Sequence, residues 1–188
     1  MQIRISEELY TILLYARDEA MRTGSYAIGA DHLMLGILRH AENAACLLLR
    51  EAGVDLGEFK RYVDSCLFRE RSVPYSAEDK MTVGRSALNV INMAALEALK
   101  VGSEEVRSLH LLLGLSRSAT TASAPWLAQR GCGTAALLER LEAHGWSRTP
   151  AKAPAKEEAE EVEKTVASQL RSLVLISPSA SGNGRLPS

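Results

Sequence analysis

Ile28-Gly29-Ala30-Asp31-His32-Leu33-Met34-Leu35-Gly36-Ile37-Leu38 is echoed later in the chain by Val106-Arg107-Ser108-Leu109-His110-Leu111-Leu112-Leu113-Gly114-Leu115. His32 and His110 stand 78 residues apart. Working outward at that offset, with no gap, Glu19-Ala20 falls on Glu97-Ala98 and Gly24-Ser25 on Gly102-Ser103. Arg39 falls on Arg117, Leu49 on Leu127 and Gly53 on Gly131. A string of matches in fixed register marks an internal duplication, whose units bury their apolar faces against each other.

Each copy reads as helices. Leu9, Ile12, Leu13, Ala16 and Ala20 follow the 3.6-residue period, and Ala87, Val90, Ile91, Ala94 and Ala98 repeat it. Ser6 is placed to cap the first helix, with Glu7 and Glu8 where the helix dipole favours acids. Gly24 and Gly102 sit at left-handed stops. A short helix follows from about Asp31 to His40, matched from Leu109 to about Arg117. A third, near Ala44 to Ala52, stops at Gly53, and its partner stops at Gly131. A fourth carries Phe59, Tyr62, Val63 and Cys66, matched by Leu137, Leu138 and Leu141. Nothing alternates with period two over a useful length, so no strand is expected.

The expected architecture is all-α: two pseudo-twofold-related four-helix repeats, about residues 1–68 and 76–146, forming one domain over 1–146. Each half alone is too small to bury much core. The linker spans roughly Arg69 to Asp79, with Pro74 as helix breaker. After Trp146 the composition shifts to Pro, Lys and Glu, and residues 147–188 read as a mobile tail. Val162, Val166, Leu170, Leu173 and Val174 share one face of a short helix expected between about Glu157 and Leu175.

Bulk properties narrow the function. Among 188 residues the formal charge is −1, which gives no electrostatic footprint for nucleic acid or an anionic membrane. No apolar run reaches bilayer length, and Met1-Gln2-Ile3-Arg4-Ile5-Ser6 is not a secretory signal. Cys46, Cys66 and Cys132 are widely spaced, fit neither a disulfide framework nor a zinc cluster, and read as small buried residues in a reducing cytoplasm. No phosphate-binding G-x-x-x-x-G-K-[ST] string occurs; Gly131-Cys132-Gly133-Thr134 lacks the lysine and the spacing. No serine sits in a nucleophile motif, and His32 and His110 lack companion metal ligands. The expectation is a protein that is no enzyme, takes no cofactor, metal or ATP, and binds neither nucleic acid nor membrane.

The stretch Ile28 to Leu38 resembles the signature of the Clp repeat family, usually written I-G-T-E-H-L-L-L-G-L-L. Upstream, Ala16-Arg17-Asp18-Glu19-Ala20 resembles its A-x-x-E-A helix. Downstream, Gly53-Val54-Asp55-Leu56 resembles its L-G-V-D-L turn. The second copy is a more diverged version, and the resemblance covers about residues 1–146. It implies a helical domain of the kind that stands before the ATPase rings of Clp unfoldases and recruits adaptors or substrates without catalysis. The partner is then a Clp unfoldase or protease subunit, an adaptor or a substrate. A structural accessory subunit of the ring is the alternative.

Four residues stand out as protein- or peptide-binding candidates. Asp31 takes the signature's Glu position, where a carboxylate meets a guanidinium or simply favours the helix start. Glu42 and Asp55 add acids to the first copy, where Thr120 and Gly133 stand in the second. Trp126, matched to Leu48, is read as core or as a partly exposed docking anchor. Leu109 replaces the second acid, Ala30 removes a capping hydroxyl, and Ser108 is placed to cap its own helix. Any basic-peptide site is therefore expected on the first copy, near Asp31.

Overall fold

In the computed structural model, which describes residues 3–69, 71–146 and 155–180 and side chains as far as residue 172, Ser6 accepts the Leu9 N–H at 3.1 Å. That bond opens helix α1, Glu7–Arg22, which buries Leu9, Ile12, Leu13, Ala16 and Ala20. The helix ends where Gly24 takes φ +86° and the Ser25 N–H returns to the Ala20 carbonyl at 2.8 Å. Helices α2 (Ala30–His40), α3 (Ala44–Glu51) and α4 (Leu56–Leu67) complete the first repeat. The second holds α5 (Arg85–Lys100), α6 (Ser108–Arg117), α7 (Ser123–Gln129) and α8 (Thr134–Ala143). The starts of α1, α2 and α4 lie 78 residues before those of α5, α6 and α8.

The expectation of no strand is corrected. Among the described residues four two-residue strands occur: β1 (Arg4–Ile5), β2 (Ala27–Ile28), β3 (Thr82–Val83) and β4 (Glu105–Val106). β1 pairs with β4 and β2 with β3, both in parallel. Each ladder joins one repeat to the other, and the offset of 78 exchanges the two ladders, which is the backbone record of the pseudo-twofold axis. Two residues are too short for a period-two signal, and their partners are distant in sequence.

Ion triads also repeat. Buried Glu19 meets Arg22 and Arg39, the latter at 3.1 Å. Buried Glu97 meets Lys100, at 2.8 Å, and Arg117. The basic groups are partly in water, so only the carboxylate is fully desolvated, and two cations offset that cost.

Within each repeat the first two helices cross at a glycine. A Cβ on Gly36 would meet the Ile12 carbonyl oxygen at 2.5 Å and the Ala16 nitrogen at 3.0 Å; on Gly114 it would meet the Val90 carbonyl oxygen at 2.7 Å. Gly36→Ala removes helix-interior backbone freedom, which alone favours Ala by about 1 kcal/mol. Here the neighbours are backbone and cannot give, so overpacking of about 1–3 kcal/mol wins. Gly36→Ala is expected to lower the melting temperature, by about 2–4 °C per kcal/mol, in a circular-dichroism melt. An unchanged or raised value would show that the helices separate at little cost.

The linker is ordered by α1. The Arg69 N–H donates to the Thr23 carbonyl and the Val73 N–H to the Met21 carbonyl, before a 3-10 helix at Tyr75–Lys80. The helix expected over 157–175 runs from Lys156 to Ala180 as α9. It packs on α5, β1 and the 3-10 helix and buries Val162, Val166 and Leu170. The expectation of mobility for the rest of the tail falls on residues 147–154 and 181–188, outside the described residues. Cys46 and Cys132 are buried as read, with burial pushing the Cys46 thiol up to about 11, whereas Cys66 is exposed on the last turn of α4. No helix among the described residues is long and apolar enough to cross a membrane.

Candidate functional site

Because β1 and β4 are side by side, the starts of α1 and α6 face each other across the repeat boundary. Between them lies an open cleft of about 690 Å³, lined by Arg4, Ile5 and Glu8 of the first repeat and Arg107, Leu109 and His110 of the second. Ala44 and Trp146 also stand on its wall. The ladder places Arg4 opposite Glu105. Arg107 donates to Glu105 Oε2 at 3.1 Å and Arg4 Nε to Oε1 at 2.9 Å, and the two guanidinium groups hold that carboxyl below its usual range. The rim thus carries two basic side chains, Arg4 and Arg107, and three acidic ones, Glu7, Glu8 and Glu105, around an apolar patch of Ile5, Leu109 and Ala44.

Helix α6 is not capped by Ser108, which corrects the sequence reading. Ser108 is its first residue, and its N–H donates to Glu8 Oε2 of the other repeat at 3.1 Å. The matched bond runs from the Ala30 N–H to Ser86 Oγ at 3.1 Å. Each short helix is therefore capped by a side chain from the opposite repeat. The histidines supply the second cap: Arg107 N–H donates to His110 Nδ1 at 2.9 Å and Gly29 N–H to His32 Nδ1 at 2.8 Å. Burial pushes both imidazoles down to about 4. His32 Nε2 meets Thr23 Oγ1 at 3.0 Å, but Val101 replaces that threonine in the second repeat, and among the described residues His110 Nε2 has no partner.

The pseudo-symmetric place, at Asp31, is closed. Asp31 accepts the Ala122 N–H at 2.8 Å, the Ser123 N–H at 3.1 Å and the Ser123 hydroxyl at 2.5 Å. From α2 it caps the start of α7, whose own preceding residue, Ala122, offers no side-chain cap. The carboxylate assigned to a guanidinium thus already holds three donors of the chain. Trp126 is 5% exposed and stacks on Phe59 with ring centroids 4.3 Å apart, with the Arg130 guanidinium 3.6 Å over its ring. It follows the core alternative, joining α7 to α4. Asp55 is exposed and caps α4 through the Glu58 N–H, and Glu42 is exposed just before α3. These two acids flank opposite ends of an eight-residue helix, about 12 Å long, so the structure does not gather them into one site. Leu109 is outside the four candidates read from the sequence, which gave the second copy, with Leu109 and Trp126, an apolar partner or the body of the domain; the signal for the cleft was the loss of an acid there.

Among the described residues no group of three His, Cys, Asp or Glu side chains is placed to hold a metal ion. The cleft offers an apolar surface, backbone edges and charges of both signs, which suits a polypeptide segment. The Clp repeat (R) N-terminal domain matches residues 4–129. The chain belongs to the Clp repeat family. Its repeat domain is 30% identical over 118 residues to the "Negative regulator of genetic competence ClpC/MecB" of Bacillus subtilis, a match covering 61% of this chain and 14% of that protein. It is 28% identical over 114 residues to "Chaperone protein ClpB" of Oceanobacillus iheyensis, covering 61% and 14%. The chain thus spans a small fraction of the length of these relatives. Among solved structures, the Hsp104 N-terminal domain from Candida albicans superposes with a TM-score of 0.62 at 16% identity, covering 77% of this chain and 94% of that one. The N-terminal domain of ClpD from Arabidopsis thaliana gives 0.56 at 20%, covering 74% and 95%. At such identities the likeness is one of fold: a mostly helical Clp N-domain. Helix α9 lies beyond the matched region.

Proposed function

We propose that this Clp repeat protein is a non-catalytic docking module for Clp-type ATP-dependent proteolysis in the cytoplasm, recruiting a substrate or adaptor to the Clp machinery. The observation that carries this reading is the open cleft at Leu109, set against its closed counterpart at Asp31. One repeat junction uses its carboxylate to hold α7, while the other leaves Ile5, Leu109 and Ala44 accessible. A peptide with an apolar anchor fits there, its backbone meeting the charged rim. No ATP or other cofactor takes part, and neither nucleic acid nor membrane is a partner.

A membrane-spotted array of peptides from unfolded casein, overlaid with the purified chain, tests this. Leu109→Glu is expected to lower capture of peptides with apolar anchors by about tenfold or more. Asp31→Ala is expected to act differently, removing charge-assisted bonds and a helix cap and costing about 2 kcal/mol of stability in urea unfolding, with little loss of capture by the protein that remains folded. If Asp31→Ala abolished capture and Leu109→Glu did not, the first-repeat assignment would be restored. Stoichiometric co-purification with a Clp ring, indifferent to Leu109→Glu, would instead favour the structural accessory subunit.

A further inference from the structure

Helix α9 occupies a groove rather than merely extending the chain. Its apolar residues Val162, Val166 and Leu170 recur every four positions and are buried, while Glu157, Glu158, Glu160, Glu161 and Glu163 are exposed. The surface beneath is apolar: Leu170 lies over Leu13, Leu33, Val83 and Ile91 at the junction of the repeats, beside a void of only about 30 Å³. One polar contact sets the register. Gln169 Nε2 donates to the Ile3 carbonyl at 3.2 Å, and its Oε1 accepts the Ile5 N–H at 2.9 Å. These are the groups on the edge of β1 that faces away from β4, since the Arg4 and Ser6 N–H groups point to Glu104 and Val106. The carboxamide thus stands in for a neighbouring strand and satisfies an edge otherwise left open.

The fit is incomplete. A hollow of about 480 Å³ stays open beside Ala167 and Leu170, walled by Met81, Val83 and Leu88. Among the described side chains, three buried apolar anchors and one amide hold α9, and eight residues, 147–154, separate it from the described part of the repeats. Held in this way, a helix competes at a millimolar effective concentration and yields to a helix that fills the groove better. We infer that α9 is an internal occupant of a helix-binding groove, and that the groove's partner is an amphipathic helix of another protein. That helix carries apolar residues at i, i+4 and i+8, a glutamine at i+7, and a side chain larger than alanine at i+5. The surface adjoins the Leu109 cleft, sharing Ile5 with it, and is exposed when α9 leaves.

The probe is a fluorescein-labelled peptide of residues 156–175, read by anisotropy against the full chain and against the full chain carrying Val162→Asp and Val166→Asp. These substitutions weaken α9 in place and leave every groove residue intact. The double variant is expected to bind the peptide at least tenfold more tightly than the wild type, a scrambled peptide is expected not to bind, and Ala167→Leu in the peptide is expected to tighten binding further. Equal affinity for wild type and variant overturns the inference, as does loss of binding with Ala167→Leu. A variant that no longer folds, judged by its circular-dichroism melt, overturns it by making α9 a fixed part of the core. A wild type that sediments as a dimer assigns the groove to the α9 of a second copy and overturns the partner.

Discussion

Acidification from pH 7 towards pH 4 is expected to unfold this protein well before its carboxylates alone would require it. His32 and His110 are buried at 5% and 2% exposure, and burial lowers each to about 4 from an ordinary value of 6.5. In the unfolded chain both protonate near pH 6.5, so that state binds more protons throughout the interval, and stability rises with pH across it. The contribution is complete above about pH 6.5 and is lost as pH falls to about 4, on the order of 3 kcal/mol for each histidine. The geometry explains the penalty. Each Nδ1 accepts the N–H that precedes its own helix, and a proton there replaces that acceptor with a donor. Asp31 and Glu19 oppose the shift at His32, and Glu97 opposes it at His110, but desolvation dominates. Glutamine three residues into a helix makes the same backward bond and does not titrate. The double substitution His32→Gln and His110→Gln is therefore expected to flatten the stability profile between pH 4.5 and 6.5, measured by urea unfolding at each pH. A profile as steep as the wild type's would place the acid sensitivity elsewhere.

Trp126→Ala is expected to cost about 3–5 kcal/mol, the range for removing a large buried aromatic side chain. The indole stacks on Phe59 at an interplanar angle of 14° and lies 5.9 Å from the Tyr62 ring, so its loss opens a cavity between α7 and α4. The melting temperature should fall by about 6–20 °C. Trp126→Phe keeps a stacking ring and is expected to lose much less. A Trp126→Ala protein with unchanged melting temperature but weakened peptide capture would restore the docking-anchor alternative.

Most of the helical architecture was legible because it is local. Periodic apolar residues, Ser6 at one end of α1 and Gly24 at the other are all read within a few residues, and the offset of 78 carries the same signals to α5. The Gly53 and Gly131 stops fall where φ is positive, at +83° and +71°, as a left-handed turn requires. The site was less legible. An acid at Asp31 looks the same in sequence whether it awaits a ligand or holds three donors of a distant helix. Trp126 likewise gives no local sign of Phe59, which comes from another helix of the other repeat.

The sequence by itself determined the duplication, the helices within each repeat, the Ser6 cap, the glycine stops and the family, since these depend on neighbours in the chain and on spacing. Tertiary structure alone decided which junction is open. Glu8 and Ser86 cap helices across the pseudo-twofold boundary, each two-residue strand pairs with the non-equivalent strand of the other repeat, and Gln169 closes the edge of β1 from a helix more than 160 residues away. Each of these contacts satisfies a backbone group that its own segment cannot reach. The demand for a partner is written locally, but the identity of that partner emerges only when the two repeats and α9 have packed together.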